Sequence, residues 1–195
     1  MAWWRQGGGR EPDAAFQYAV PDLSVSRVAM RHIIAILLQN EAGALTRVAG
    51  LFSTRGYNIE SLSVAATDDP TVSRITLVTK GSDAVIQQIV NQLNKLIDVV
   101  SVEDMTTGEH IERELVLLKL KVRPEQADAV RGYVVRNAGR VIDPAHDAFI
   151  VELTASEAEI NRFITDLSAG AELLEVVRSG ALGISRLGRN LRVVR

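Results

Sequence analysis

Asn40, Gly43 and Asn58 are the residues whose types and spacing could do chemistry, and that chemistry is the non-covalent capture of a small zwitterion. From Asn40 to Leu45 the chain reads Asn-Glu-Ala-Gly-Ala-Leu, and Leu45, Val48, Leu51 and Phe52 then recur at helical spacing. They form one apolar stripe that must face a core. The first amides of a helix lack internal partners and carry a partial positive charge, so an anion can sit there unless a bulky side chain covers them. Gly43, between Ala42 and Ala44, leaves that approach open. Gly56 ends the helix, because glycine takes the left-handed conformation without a side-chain clash. Asn40 precedes the helix and Asn58 opens the strand after it. An asparagine amide donates and accepts at once, which suits the ammonium and carboxylate of an amino acid. Taken singly, each asparagine reads as an ordinary cap or turn residue; the expectation that the pair flanks one apolar, glycine-opened helix end is what points to a ligand.

Other chemistries lack their residues. The chain has 195 residues, a formal net charge of −2 and no cysteine. Disulfides, thiolate catalysis and cysteine-ligated metals are excluded, and a reducing cytoplasm is compatible with the composition. The charge gives no global attraction to nucleic acid. No apolar run approaches the roughly 20 residues of a bilayer span. A soluble cytoplasmic protein with neither membrane nor nucleic-acid partner is expected. His32, His110 and His146 do not have the spacing of a helical metal site, and Asp68-Asp69 belongs to a turn. No Walker-type loop occurs, Gly7-Gly8-Gly9 follows no strand, and no serine sits in a nucleophile elbow. No catalytic or metal-binding residue is assigned.

The elements that position the helix are legible in order. Residues 31–39 are apolar on both faces, which predicts a central strand. Tyr57, Ile59, Leu62, Val64 and Ala66 alternate with a phase slip between Ile59 and Leu62, as a β-bulge requires. Asp68-Asp69-Pro70-Thr71 predicts a hairpin into residues 72–79. Ser82 is expected to cap a helix buried through Ile86, Ile89, Leu93 and Leu96, and residues 99–105 give a short strand. The same β-α-β-β-α-β order then returns. Leu118, Leu120 and Val122 alternate with lysines, Pro124 opens a helix that Gly139 stops, and strands flank the turn at residues 144–147. Ser156 and Glu159 have capping-box spacing ahead of Ile160, Phe163, Ile164 and Leu167, and residues 173–177 close the unit.

The expected fold is therefore α+β, with two tandem ferredoxin-like (βαββαβ) modules. The divisions fall at 1–29 (an N-terminal extension read as flexible), 30–108 (the module that carries the candidate ligand site), 109–180 (the second module) and 181–195 (a basic tail), with residues 106–113 as a polar joint. Met30 stands just before the first strand, so a reading frame extended upstream is one consequence of this division. An RNA-binding RRM has the same element order, but the inner strands here carry Ile, Leu, Val and Thr in place of stacking aromatics.

Asn40-Glu41-Ala42-Gly43-Ala44-Leu45, Arg55-Gly56-Tyr57-Asn58-Ile59-Glu60-Ser61-Leu62 and Thr67-Asp68-Asp69-Pro70 resemble the ACT domain of the acetolactate synthase (acetohydroxyacid synthase) regulatory subunits. Glu112-Arg113-Glu114-Leu115 and Glu175-Val176-Val177-Arg178-Ser179-Gly180 extend the resemblance to about Arg186. It implies a chain with no activity and no cofactor of its own, which activates a catalytic (large) subunit and makes it sensitive to feedback by valine. Thiamine diphosphate, magnesium and FAD are expected on that partner. It also implies a homodimer through the ACT domains. Carried over by position, Asn40, Ala42, Gly43, Ala44 and Leu45 would hold valine's polar end, and Asn58 with Ile59 from the neighbouring copy would close the site. The rival reading is a freestanding amino-acid sensor acting on transcription or on another enzyme. The choice among valine, leucine and isoleucine is left open at this point.

Overall fold

A computed structural model describes residues 30–144 and 148–186, so the expectations for residues 1–29, the tip of the turn at His146 and the arginines beyond Arg186 lie outside the described residues. The first module is β1 (Met30–Gln39), α1 (Ala44–Thr54), β2 (Ile59–Ala66), β3 (Val72–Gly81), α2 (Asp83–Leu93) and β4 (Val99–Asp104). Its strands stand in the order β2-β3-β1-β4, every neighbouring pair antiparallel. Every residue of β1 from His32 to Leu38 is buried, and the strand is central as its two-faced apolarity predicts. Ile34, Ile36 and Leu38 face the helices, meeting Ala44, Val48 and Phe52 of α1 and Ile86, Ile89 and Leu93 of α2.

The local signals act where the sequence puts them. The β2–β3 register shifts between Ile59 and Ser61. The hairpin is closed by Asp69, whose carboxylate accepts from the Thr71 amide at 2.9 Å and the Thr71 hydroxyl at 2.6 Å. Gly56 has φ +69 just after α1. Ser82 does hold the N-cap position of α2, but its hydroxyl makes no capping hydrogen bond; Asp83 supplies the acid of the first turn.

The second module is β5 (His110–Lys121), a 3-10 turn at Pro124–Gln126, α3 (Ala127–Arg136), β6 (Arg140–Pro144), β7 (Ala148–Ala155), α4 (Glu157–Leu167), β8 (Glu172–Arg178) and β9 (Leu182–Ser185). The strand order is β6-β7-β5-β8, with β9 beside the first part of β5. Val116, Leu118 and Leu120 of β5 join Val151 and Leu153 of β7 under Val130, Val134, Ile160 and Phe163. The capping box is formed in full: the Glu159 amide donates to Ser156 Oγ and the Ser156 amide donates to Glu159.

Three segments differ from the sequence reading. Residues 110–113, expected in the polar joint, are strand, because β5 runs on to pair His110–Arg113 with Leu182–Ser185. Residues 182–185, expected in the tail, are the other half of that ladder. They also lie over the rear of the first sheet, where Ile33, Ala35 and Val78 are buried with Met105 and Ala181. Finally, the left-handed residue after α3 is Ala138, at φ 59, and not Gly139. Gly139 instead allows a close approach: a Cβ there would stand 3.1 Å from the Glu152 carbonyl and 3.2 Å from that of Val134.

These two positions should respond in opposite senses. Ala138→Gly relieves a left-handed conformation that costs an L-residue roughly 1–2 kcal/mol, less the entropy a glycine loses, for a net gain of about 0.5–1 kcal/mol. Gly139→Ala should lose about 1–3 kcal/mol through overpacking against backbone. Urea titrations of the two variants measure both signs.

Candidate functional site

α1 begins without a lid. Its N-cap, Gly43, has φ 85 and ψ −12, carries no side chain, and no acid stands in the first turn. The amides of Gly43, Leu45 and Thr46 find no partner among the described residues, while Ala44 donates back to the Glu41 carbonyl at 3.2 Å. Ala42 and Gly43 are exposed and Ala44 is buried; Leu45, expected in the core-facing stripe, is instead 38% exposed at the mouth of the turn, and Ala44 takes its place beside Val48 and Phe52. An open set of amides at the positive end of a helix is a place for an anion.

Asn40 is tied to the neighbouring hairpin. Its backbone amide donates to the Thr71 carbonyl at 2.7 Å and its side-chain nitrogen donates to the Pro70 carbonyl at 3.0 Å. The turn role is thus filled by one half of the amide, and the oxygen accepts nothing from the described residues. Asn58 is exposed; its carbonyl accepts from the buried Thr79 hydroxyl at 2.6 Å, and its side-chain amide has no partner among the described residues.

These residues do not converge within one chain. Gly43 precedes α1 and Asn58 follows it, so the 11-residue helix separates them by about 16 Å. The expectation that both asparagines flank the same helix end is corrected on this point: within a protomer they lie at opposite ends. β2, which starts at Ile59 directly after Asn58, is an edge strand with no neighbour on its outer side among the described residues. Its sequence, Ile-Glu-Ser-Leu-Ser-Val-Ala-Ala, has a single charge, and Glu60 is paired with Lys80 at 2.8 Å.

Arg47 stands beside the open turn and was not singled out in the sequence. Its guanidinium lies 3.1 Å from where a Cβ on Gly43 would stand. It donates twice to Asp98, at 2.5 and 2.7 Å, and the Asp98 side chain is only 5% exposed. The hydrogen bonds from Arg47 hold the Asp98 carboxyl below the ordinary carboxylate range. The Asp98 carbonyl also accepts from Gln39 at 2.8 Å, so the pair braces the strand end leading to the turn. The only available signal was an arginine four residues after Gly43, one helical turn away.

Among the described residues no cluster of three His, Asp or Glu could hold a metal ion, and no helix is long and apolar enough to cross a membrane. Four antiparallel strands under two helices, with an uncapped helix after the first strand, define an ACT-type domain followed by a second module of related order. A family model described as "AHAS small subunit-like ACT domain" matches residues 34–101, and one described as "Small subunit of acetolactate synthase" matches residues 113–187. The Escherichia coli acetolactate synthase isozyme 3 small subunit is 44% identical over 163 residues, covering 84% of this chain and 100% of the relative. A probable acetolactate synthase small subunit of Archaeoglobus fulgidus is 40% identical, over 80% of this chain and 98% of its own. The crystal structure of the Thermotoga maritima acetolactate synthase small subunit superposes with a TM-score of 0.73 at 30% identity, over 82% of this chain and 99% of that one. The chain belongs to the acetolactate synthase small-subunit family.

The Arg47–Asp98 pair makes a pH prediction. A carboxyl whose folded pKa is depressed contributes stability above its unfolded value, near about 4, and loses it as the pH falls through the folded value. Asp98→Asn should therefore be less stable than wild type at neutral pH, with the difference shrinking in acid. Thermal melts from neutral to strongly acidic pH check the sign.

Proposed function

We propose that this chain is the regulatory subunit of acetolactate synthase in branched-chain amino acid biosynthesis, activating the thiamine-diphosphate-dependent catalytic subunit and conferring feedback inhibition by valine. The effector sits between two ACT domains. The observation that carries this reading is the separation of Gly43 from Asn58 by the length of α1, together with a free β2 edge. Antiparallel pairing of two β2 edges about a two-fold axis brings the Asn58 end of one copy toward the Gly43 end of the other. Asn40, Ala42, Gly43, Ala44 and Leu45 then take the polar end of the amino acid, and Asn58 with Ile59 of the second copy closes over it.

The energetics are adequate. Burying valine's side chain contributes about 1.5–3 kcal/mol, and the helix terminus roughly 0.3–1 kcal/mol for the carboxylate, up to about 2 when partly buried. Hydrogen bonds to charged groups, about 1.5–3 kcal/mol each, bring the sum toward the −8 kcal/mol of a micromolar complex. Inhibition needs more than affinity, because a ligand equally bound by two states shifts neither. A pocket built from two chains supplies the difference, since any change in their packing reshapes it.

Gly43→Asp tests the placement. An aspartate there is strained at φ 85 and its carboxylate meets the Arg47 guanidinium, occupying the anion position from within. In a holoenzyme reconstituted with the catalytic subunit, valine inhibition should disappear while activation is kept. Inhibition by valine at wild-type strength would show that the effector binds elsewhere.

A further inference from the structure

β2 is gripped on both faces. On one side Ile59 and Leu62 pack toward the helices; on the other, Ser61 and Ser63 meet residues 179–181 of the second module. The Ala181 amide donates to Ser61 Oγ at 3.0 Å, and Ser63 Oγ donates to the Ser179 carbonyl at 2.8 Å. Two of these residues are fastened to β5: Ser179 exchanges hydrogen bonds with the Leu115 backbone at 3.0 Å in each direction, and the Gly180 amide donates to Glu114 at 3.2 Å. Glu114 is 5% exposed and accepts from Arg178 of β8 at 2.9 Å. Gly180 has φ +78, and a Cβ built on it stands 2.6 Å from Ser61 Oγ and 3.0 Å from Ser63 Oγ. Only glycine satisfies both the left-handed backbone and this close approach.

We infer that residues 179–181 are the link through which an effector bound at the start of β2 changes the posture of the second module, with Ser61, Ser63 and Gly180 as its positioning residues. The inference rests on the reading of Asn58 and Ile59 as the residues that close over valine. They stand immediately before the bulge between Ile59 and Ser61, where a strand can slide or twist without dismantling its ladder. Movement at Ile59 passes to Ser61 and Ser63 along a short piece of strand, and their hydroxyls deliver it to a segment bound to β5 and β8. Beside the link lies a cleft of about 330 Å³ between the modules, lined by Arg31, Glu60, Glu157 and Arg178 among others. Arg31 of β1 crosses it to Glu112 of β5 at 2.9 Å and to Glu157 of α4 at 2.7 Å. That cleft leaves space beside the link, spanned by ion pairs in place of close apolar packing, where a small change of posture can be accommodated.

Two readouts on the full chain separate the link from the site: valine binding by calorimetry, and valine inhibition of the holoenzyme reconstituted with the catalytic subunit. Ser61→Ala/Ser63→Ala, which removes two hydroxyls and adds no bulk, should bind valine within about twofold of wild type while its inhibition ratio at saturating valine falls about fivefold or more. Gly180→Ala should behave likewise, and the serine pair decides if that variant does not fold. Wild-type inhibition by the serine variant overturns the link alone; joint loss of binding and inhibition also overturns it, making these residues part of the pocket. A wild-type chain that binds no valine overturns the link and the proposed function together.

Discussion

β1 has no wet face, and the rest of the molecule follows from covering it. Ile34, Ile36 and Leu38 are sealed by α1 and α2, while Ile33 and Ala35 on the reverse must be covered by something the first module does not possess. An ordinary open-faced antiparallel sheet leaves that side to water. Here Met105, Ala181 and the β9 region cover it, and the Gly183 backbone comes close enough that a Cβ there would stand 2.5 Å from the Met105 methyl and 2.9 Å from the end of the Ile33 side chain. Arg74 adds a hydrogen bond to the Gly183 carbonyl at 2.8 Å. The modules are therefore joined by burial, and the long β5 supplies the scaffold that carries the covering strand back to the first sheet.

That arrangement leaves the helix side of the first module free to specialise. α4 satisfies its terminus with a capping box, whereas α1 begins on a bare left-handed glycine with no acid in its first turn. Arg47 stands nearby but is committed to the buried Asp98, so it braces the turn and leaves the amides as the open cationic feature. An exposed, almost uncharged edge strand is a liability unless something pairs with it. β2 is such a strand in the described residues, and Asn58 and Ile59 stand where it begins, at the end remote from the open turn. Pairing by a second copy, as proposed, would protect the edge and complete the pocket.

What was legible in the sequence was local. The slip between Ile59 and Leu62, the Asp69 hairpin and the Ser156–Glu159 capping box each depend on residues a few positions apart, and each is in place. The contacts that organise the whole are long-range: Arg47 reaches Asp98 across 51 positions, and Ala181 reaches Ser61 across 120. Leu182–Ser185 is too short, and holds a glycine, to announce itself as a strand; only its partner at His110–Arg113 makes it one. The site was half legible for the same reason. Gly43 and the apolar stripe of α1 mark a helix with an open end, but periodicity does not say that Asn58 lies a helix length away from it.

The account stands on a pocket made by two chains, and a mixed assembly tests that most directly. Gly43→Asp and Asn58→Ala each spoil one half of every site when alone. When the two variants are mixed and allowed to exchange, each heterodimer has one doubly damaged pocket and one intact pocket, so calorimetry should recover valine binding at about a quarter of the sites under random pairing. No recovery on mixing, from two variants that remain folded and dimeric, would contradict it.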